Sequence, residues 1–120
     1  MCVNSFLSCK VVFLGESNVG KTNIIQAYTE KNINEPLKTE TSKYKQKKIV
    51  NFKNSNKSIC FDIWDIPGNE NFRSLAFRFY ENADVLILVY DITNKKSFNE
   101  LKDYWVNDIR ENENLDKSKY

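Results

Sequence analysis

A phosphate-binding pattern lies near the start of this 120-residue chain. Its spacing is G-x-x-x-x-G-K-[ST], in which main-chain N–H groups surround a phosphate chain and the lysine adds a compact positive charge. The hydroxyl that ends the pattern is a ligand suited to Mg²⁺. The eight residues are Gly15, Glu16, Ser17, Asn18, Val19, Gly20, Lys21 and Thr22. They predict a site for a nucleotide and its magnesium ion.

A second pattern, D-x-x-G, runs from Asp65 to Gly68. Asp65 ends a predicted strand, where its carboxylate would hold Mg²⁺ through water, and the amide of Gly68 would contact a γ-phosphate. Most isolated D-x-x-G tetrapeptides are turns, so the position of this one downstream of the first pattern matters. Together the two patterns contain all three glycines of the chain. We infer that the chain is organised around a bound nucleotide.

Composition excludes several other classes of protein. The net charge of +2 is too small to predict binding to nucleic acid. Histidine is missing from the sequence, so the commonest general base and metal ligand is not available. Three cysteines at irregular spacing predict reduced thiols in a cytoplasmic protein. The longest apolar run is too short to span a bilayer, so we expect no membrane anchor in this chain.

Hydrophobic periodicity predicts an α/β fold. Residues 10–14, 44–52, 58–64 and 85–90 have strand patterns, and helical patterns cover residues 21–29, residues 72–80 and a segment from residue 97 onward. This order predicts a P-loop NTPase-like domain, with a mostly parallel sheet, one antiparallel hairpin strand and helices on both faces. The continuous apolar run of residues 85–90 predicts a central strand that is covered on both faces.

The last predicted helix has its own start signal. Ser97 and Glu100 have the spacing of a capping box, in which each side chain bonds the backbone of the other residue. The helical repeat then predicts an inner face made of Phe98, Leu101, Trp105 and Ile109.

Four segments of the chain resemble the small GTPases of the Ras superfamily, and within it the Rab branch. They are residues 15–22, 63–65, 68–75 and 89–94, and the resemblance extends over about residues 9–109. It implies a switch that binds GTP and GDP with Mg²⁺, hydrolyses GTP slowly and works in vesicle trafficking. It also implies exchange factors, GTPase-activating proteins and effectors as partners, and the cytosolic face of endomembranes as the location of a full-length relative.

The resemblance implies a role for each matching residue. Lys21 and Thr22 would contact phosphate and Mg²⁺, Asp65 the metal through water, and Gly68 the γ-phosphate. A further Mg²⁺ ligand of the family, the threonine of the first switch loop, corresponds best to Thr41. Thr39 and Ser42 remain open as alternatives.

Two departures from the family pattern affect expected function. Asn69 takes the place of the glutamine that orients the attacking water, and its side chain is one methylene shorter. The resemblance implies Asn69 and Lys21 as the catalytic residues. Because the shorter side chain of Asn69 would reach the attacking water poorly, we expect GTP hydrolysis to be slow. Trp64 and Phe79 match two of the three aromatic positions by which Rab proteins recognise effectors. The third position falls on Lys47 or Gln46, so we expect an altered effector surface.

The sequence as given ends at Tyr120, before the Asn-Lys-x-Asp stretch by which the family recognises guanine. We therefore expect residues 1–120 to be the N-terminal two-thirds of one small GTPase domain, either as a fragment or as a natural truncation. An alternative is a truncated or pseudo-GTPase that acts as a non-catalytic binding scaffold. Another P-loop enzyme, such as a kinase or an ATPase, would leave the W-D-x-x-G segment unexplained.

Overall fold

A computed structural model describes residues 6–29 and 44–113 of the chain. Within these residues the order of elements is β1 (Phe6–Leu14), α1 (Lys21–Thr29), β2 (Lys45–Asn51), β3 (Ser58–Asp65), α2 (Glu70–Tyr80), β4 (Val85–Leu88), α3 (Lys95–Glu100) and α4 (Val106–Glu113). A π-helical turn, Leu101–Trp105, joins α3 to α4. None of these helices is long and apolar enough to cross a membrane.

The strands of the described residues form one sheet in the order β2-β3-β1-β4. β1 is parallel to both of its neighbours, whereas β2 pairs with β3 as an antiparallel hairpin. The predicted fold class is confirmed: the sheet is mixed, mostly parallel and carries one antiparallel strand. Since β1, β3 and β4 run the same way, the loops that follow them open on the same edge of the sheet.

Alternate residues of β1 supply two separate cores, one on each face of the sheet. Val11 and Phe13 pack with Ile25 of α1 on one face. On the other face Leu14 packs against residues from α2 and the π-helical turn, including Trp105, in a larger buried cluster. The helices therefore cover both faces, as the sequence predicts.

Two elements are longer than their local patterns predict. β1 begins at Phe6 rather than at residue 10, because residues 6–9 pair in register with the first half of β3. α2 begins at Glu70 rather than at residue 72, because the side chain of Asn69 caps its first turn. In both places a contact outside the hydrophobic repeat sets the boundary.

The prediction of a covered central strand at residues 85–90 is wrong for the described structure. β4 is shorter, Val85–Leu88, and lies at the edge of the sheet, where β1 is its neighbour on one side. Val85 and Leu88 are exposed. A purely apolar run shows that a strand favours burial, but the number of its neighbours depends on the rest of the sheet.

The predicted capping box is also wrong. α3 starts after Asn94, whose side-chain oxygen accepts a hydrogen bond from the N–H of Ser97. The Ser97 hydroxyl is buried and donates to the carbonyl of Asn94, while Glu100 pairs with Arg73 of α2 instead of the helix start. The predicted inner face holds for Leu101 and Trp105, whereas Phe98 is exposed.

Leu14 and Leu7 lie on the same strand, but Leu14 is completely buried, whereas 69% of Leu7 is exposed. Leu14→Ala should lower the free energy of unfolding by about 2–5 kcal/mol, since it leaves a cavity in the larger core. Leu7→Ala should change it by no more than about 0.5 kcal/mol. Urea denaturation of the full chain measures both, and equal losses would contradict this assignment of the core.

Candidate functional site

The P-loop, residues 15–20, connects the end of β1 to the start of α1. Its backbone turns at Gly15, Asn18 and Gly20, which have φ angles of 149°, 65° and 103°. At Gly15 a side chain would also meet the carbonyl oxygen of Val89, 2.3 Å from the position of a Cβ. The first glycine is therefore required both by its backbone angle and by the close approach of the segment after β4.

Lys21 is the first residue of α1, and its side chain folds back over the P-loop. Its ammonium donates hydrogen bonds to the carbonyl oxygens of Gly15, at 2.9 Å, and Glu16, at 2.6 Å. Only 6% of the residue is exposed. Burial lowers the pKa of the Lys21 ammonium, and the negative charges of Asp65 and Glu16 oppose that shift. The cation is thus held in place by the loop itself, with carboxylates nearby.

Thr22 and Asp65 meet at the junction of α1 and β3. The Thr22 hydroxyl donates a hydrogen bond to the Asp65 carboxylate, although the two residues are far apart in the sequence. The backbone N–H of Asp65 donates to the carbonyl of Tyr44, 2.7 Å away, which ties the end of β3 to the start of the hairpin. A hydroxyl and a carboxylate side by side are the oxygen ligands that Mg²⁺ prefers.

Metal ligands other than this pair are sparse. No group of three or more Cys, Asp or Glu side chains that could hold a metal ion occurs within residues 6–29 and 44–113. A cation between Thr22 and Asp65 would therefore need further oxygen atoms, which a bound polyphosphate can supply.

Gly68 packs directly against the P-loop. A Cβ at this position would lie 2.1 Å from the carbonyl oxygen of Gly15, 2.5 Å from the carbonyl carbon of Glu16 and 2.6 Å from the nitrogen of Ser17. All three are backbone atoms, so none can turn aside as a flexible side chain would. The two sequence patterns are thus in contact, and glycine is the residue that allows it.

Two cavities adjoin the P-loop. One, of about 350 Å³, has residues of both patterns in its lining: Ser17, Asn18, Lys21, Thr22, Tyr44, Asp65, Ile66, Pro67 and Gly68. The other, of about 710 Å³, lies between residues 18–23 and the segment after β4, residues 90–92. Asn18, Lys21 and Thr22 line both cavities. The arrangement provides room on both sides of the lysine and the threonine.

Asn69 lies beside this site, but its side chain is engaged in a helix cap. Its Oδ1 atom accepts a hydrogen bond from the backbone N–H of Phe72 at 3.0 Å, which closes the first turn of α2. Asparagine is among the best residues for this task, and glutamine is not among the preferred ones. Asn69, predicted from the resemblance to replace a water-orienting glutamine, thus has a structural function as a helix cap.

A family described as "Roc: Ras of Complex, Roc, domain of DAPkinase" matches residues 10–119. The match includes the P-loop, the D-x-x-G segment and all the described strands and helices except residues 6–9 of β1. The chain belongs to the Ras superfamily of small GTPases. The resemblance inferred from its motifs is confirmed.

Similar proteins place this small GTPase in the Rab branch. The Ypt/Rab-type GTPase ypt7 of Schizosaccharomyces pombe is 39% identical over 97 residues, which are 80% of this chain and 45% of that protein. The GTP-binding protein YPTC5 of Chlamydomonas reinhardtii has the same identity and coverage. The Ras-related protein RABG3e of Arabidopsis thaliana is 37% identical over 95 residues, 79% of this chain and 45% of that protein. The chain thus spans about half the length of these relatives.

The residues expected to complete the Mg²⁺ site of this small GTPase, Thr41 with Thr39 and Ser42 as alternatives, lie outside the described residues. The other residues of the expected site are described: the P-loop, Thr22, Asp65, Gly68 and Asn69. Ser17, Asn18, Lys21, Thr22, Asp65 and Gly68 line the smaller cavity, and Gly68 also contacts Gly15 and Glu16. Asn69 follows Gly68 in the chain but is not among the residues that line either cavity.

An aromatic cluster beside the hairpin was only partly apparent from the sequence. Trp64 and Phe79 lie together as expected, with ring centroids 5.9 Å apart. The third aromatic contributor is Tyr44, whose ring lies 6.3 Å from Phe79 and 5.8 Å from Phe72. Phe72 belongs to the same cluster, 5.3 Å from Phe79, and the position predicted by counting, Lys47 or Gln46, contributes no ring to it. An aromatic residue directly before β2 was the available signal.

Adding one methyl group at residue 68 tests the contact between the two patterns. Gly68→Ala should cost about 1–3 kcal/mol of folding free energy, since backbone atoms of the P-loop must shift to admit the Cβ. Ser74→Ala, on the exposed side of α2, is the matched control and should stay within about 0.5 kcal/mol. Urea denaturation measures the difference, and a tolerated methyl at residue 68 would argue against this close packing.

Proposed function

We propose that this protein is a Rab-like molecular switch that binds GTP and GDP, hydrolyses GTP slowly and acts in intracellular vesicle trafficking. The observation that carries the proposal is the meeting of Lys21, the Thr22–Asp65 pair and Gly68 around one cavity. Each of these groups is suited to a different part of a nucleoside triphosphate with its metal ion. Membership of the Ras superfamily supports guanine as the base.

The P-loop binds the phosphate groups. The backbone N–H groups of residues 15–22 would point at the β-phosphate, assisted by the positive end of the α1 dipole. Contributing residues are Gly15, Glu16, Ser17, Asn18, Val19, Gly20, Lys21 and Thr22. Lys21 would exchange its two carbonyl partners for phosphate oxygens, which are charged and therefore stronger acceptors. Its burial keeps water from screening this interaction.

Thr22 and Asp65 fit a magnesium ion, because their oxygen atoms already lie within hydrogen-bond distance of each other. When bound, Mg²⁺ would neutralise negative charge on the phosphate oxygens during transfer. Thr22 would bind the ion directly and Asp65 through water. We assign the additional oxygen ligand from the first switch loop to Thr41.

Gly68 would make the conformation of the switch depend on whether a γ-phosphate is bound. Its backbone N–H lies beside the P-loop, so a third phosphate would offer it a hydrogen-bond acceptor that GDP lacks. α2 follows within two residues, so a change at Gly68 is passed to the helix and to the aromatic cluster of Tyr44, Trp64, Phe72 and Phe79. We assign this cluster as the surface on which effectors dock.

Partners and location follow from the Rab branch. Nucleotide exchange factors and GTPase-activating proteins would control the switch, and effectors would recognise its GTP form. The protein would act in the cytoplasm, at the cytosolic face of endomembranes. The similarity to the Ypt/Rab-type GTPase ypt7 and to the Ras-related protein RABG3e supports this assignment.

A second candidate function is a pseudo-GTPase that binds nucleotide without hydrolysing it and acts as a scaffold. The observation that favours it is the use of the Asn69 side chain as the cap of α2. The cap occupies one lone pair of Oδ1 and fixes the orientation of the amide, which limits how its remaining donors and acceptor could align an attacking water. Kinetics of Asn69 variants separate the two candidates, as described below.

Replacement of Lys21 tests nucleotide binding. Lys21→Ala should weaken binding of a fluorescent GDP by about 3 kcal/mol, more than a hundredfold in Kd, because the contact is charge-assisted and desolvated. Lys53→Ala removes an exposed lysine in the β2–β3 turn and is the matched control. Chelation of Mg²⁺ should weaken binding in the wild type. Equal affinity for wild type and Lys21→Ala would contradict the assignment.

Asn69→Gln tests the assignment of the catalytic residue. Single-turnover GTP hydrolysis should rise about tenfold, equivalent to about 1.4 kcal/mol of barrier, because glutamine reaches further toward the water. The free energy of unfolding of Asn69→Gln should be about 1 kcal/mol lower than that of the wild type, because glutamine replaces a good helix cap. Asn69→Ser keeps a cap and removes the amide, so its hydrolysis rate should not rise. A rate that is unmeasurable in the wild type and in both variants would favour the scaffold.

A further inference from the structure

The guanidinium of Arg73 joins three separate segments of the chain. Arg73 lies on α2, and its Nη1 atom is 2.9 Å from a carboxylate oxygen of Glu100, at the end of α3. Its Nη2 atom is 3.9 Å from a carboxylate oxygen of Glu16, in the P-loop. Only 14% of the Arg73 side chain is exposed. Ion pairs on an open surface contribute little, but one this sheltered from water is screened much less.

Two aromatic rings lie against the same guanidinium. Its central carbon lies 4.4 Å from the ring centre of Tyr104 and 5.8 Å from that of Trp105. Both rings belong to the π-helical turn, and Trp105 is completely buried in the larger core. Arginine is suited to this setting, because its flat group can stack on a ring and bond a carboxylate at once. The π-helical turn therefore provides an aromatic surface against which the guanidinium of Arg73 packs.

The Glu16 carboxylate is held from a second side. The ammonium of Lys96, on α3, lies 3.8 Å from the same oxygen that faces Arg73. Side chains of α2 and α3 therefore converge on one residue of the P-loop. Lys96 is largely exposed, so its contribution is weaker than that of the sheltered Arg73.

α2 is thus tied to the P-loop at two points. Just before the helix, the backbone of Gly68 rests on Gly15, Glu16 and Ser17. Within the helix, Arg73 reaches back to Glu16 and across to Glu100. With the helix capped by Asn69, its first turns form a rigid piece between these two contacts. Loss of the second contact would leave the Gly68–Asn69 segment held by the packing of Gly68 on the P-loop and by the apolar face of α2.

We propose that Arg73 is a positioning residue that holds the Gly68–Asn69 segment against the P-loop by anchoring α2 to Glu100 and Glu16. The proposal rests on the proposed function, in which this segment faces the γ-phosphate and the attacking water. Arg73 itself touches neither. It should therefore affect the hydrolytic step while leaving GDP binding, which depends on Lys21 and Thr22, nearly unchanged.

The kinetic test uses Arg73→Met in the full chain, which keeps much of the side chain's apolar bulk and removes the charge. Single-turnover GTP hydrolysis should fall about tenfold or more, because small displacements of catalytic groups are costly. The Kd for GDP should stay within about twofold. Arg73→Lys should recover part of the rate, since lysine restores the charge but not the flat, two-pronged group. An equal loss of GDP affinity and hydrolysis would overturn the positioning role.

Arg78→Met is the matched control. Arg78 lies on the same helix, is exposed and forms no ion pair within residues 6–29 and 44–113. Its replacement should leave hydrolysis and GDP affinity within about twofold of the wild type. Glu100→Gln should lower hydrolysis in the same direction as Arg73→Met, and combining the two should lower it no further. Fully additive losses would contradict a shared anchor.

Amide hydrogen exchange without nucleotide tests the anchor independently of any enzymatic activity. Arg73→Met should raise exchange at the amides of residues 72–76, the first of α2 to have hydrogen-bond partners, at least about tenfold, while Arg78→Met should leave it unchanged. If this result is obtained but no variant or wild type binds GDP, the anchor stands and the proposed function fails. If exchange is the same in all proteins, the anchor is wrong whatever the kinetics show.

Discussion

The parallel pairing of β1 with β3 and β4 sets the position of every other described element. Because the three strands run in the same direction, the segments that follow them emerge at one edge of the sheet. That edge brings the Thr22 hydroxyl to the Asp65 carboxylate and brings Gly15 against Val89. The backbone pairing of the strands thus brings residues that are distant in the sequence to one edge of the sheet.

Close packing and charge then shape that site. Gly68 can pack against the P-loop only because it has no side chain. Lys21 can be buried because two carbonyl oxygens of the loop accept hydrogen bonds from its ammonium group. Burial of the lysine weakens the screening of its charge by water. Arg73 adds a second sheltered cation, whose guanidinium faces the carboxylate of Glu16.

Much of this arrangement could be predicted from the sequence. The G-x-x-x-x-G-K-T and D-x-x-G patterns indicated the site, and α1 begins at Lys21 and ends at Thr29 as its pattern predicts. The predictions that were wrong concerned contacts between elements. The capping box assumed that Glu100 would bond its own helix, and the structure gives it to Arg73. Counting along the sequence also gave no sign that Tyr44 and Phe72 would pack with Phe79 in one aromatic cluster.

The residues of the proposed phosphate site, the fold class and the family could all be inferred from the amino-acid sequence, because they depend on residue types at short, fixed spacings. The helix cap of Asn69, the edge position of β4 in the described sheet and the link that Arg73 makes between the P-loop and α3 became apparent only in the folded chain. The latter two features depend on contacts between segments that are far apart in the sequence. A local pattern records what a segment can do, whereas hydrogen bonds and ion pairs between distant segments select which of those possibilities is used.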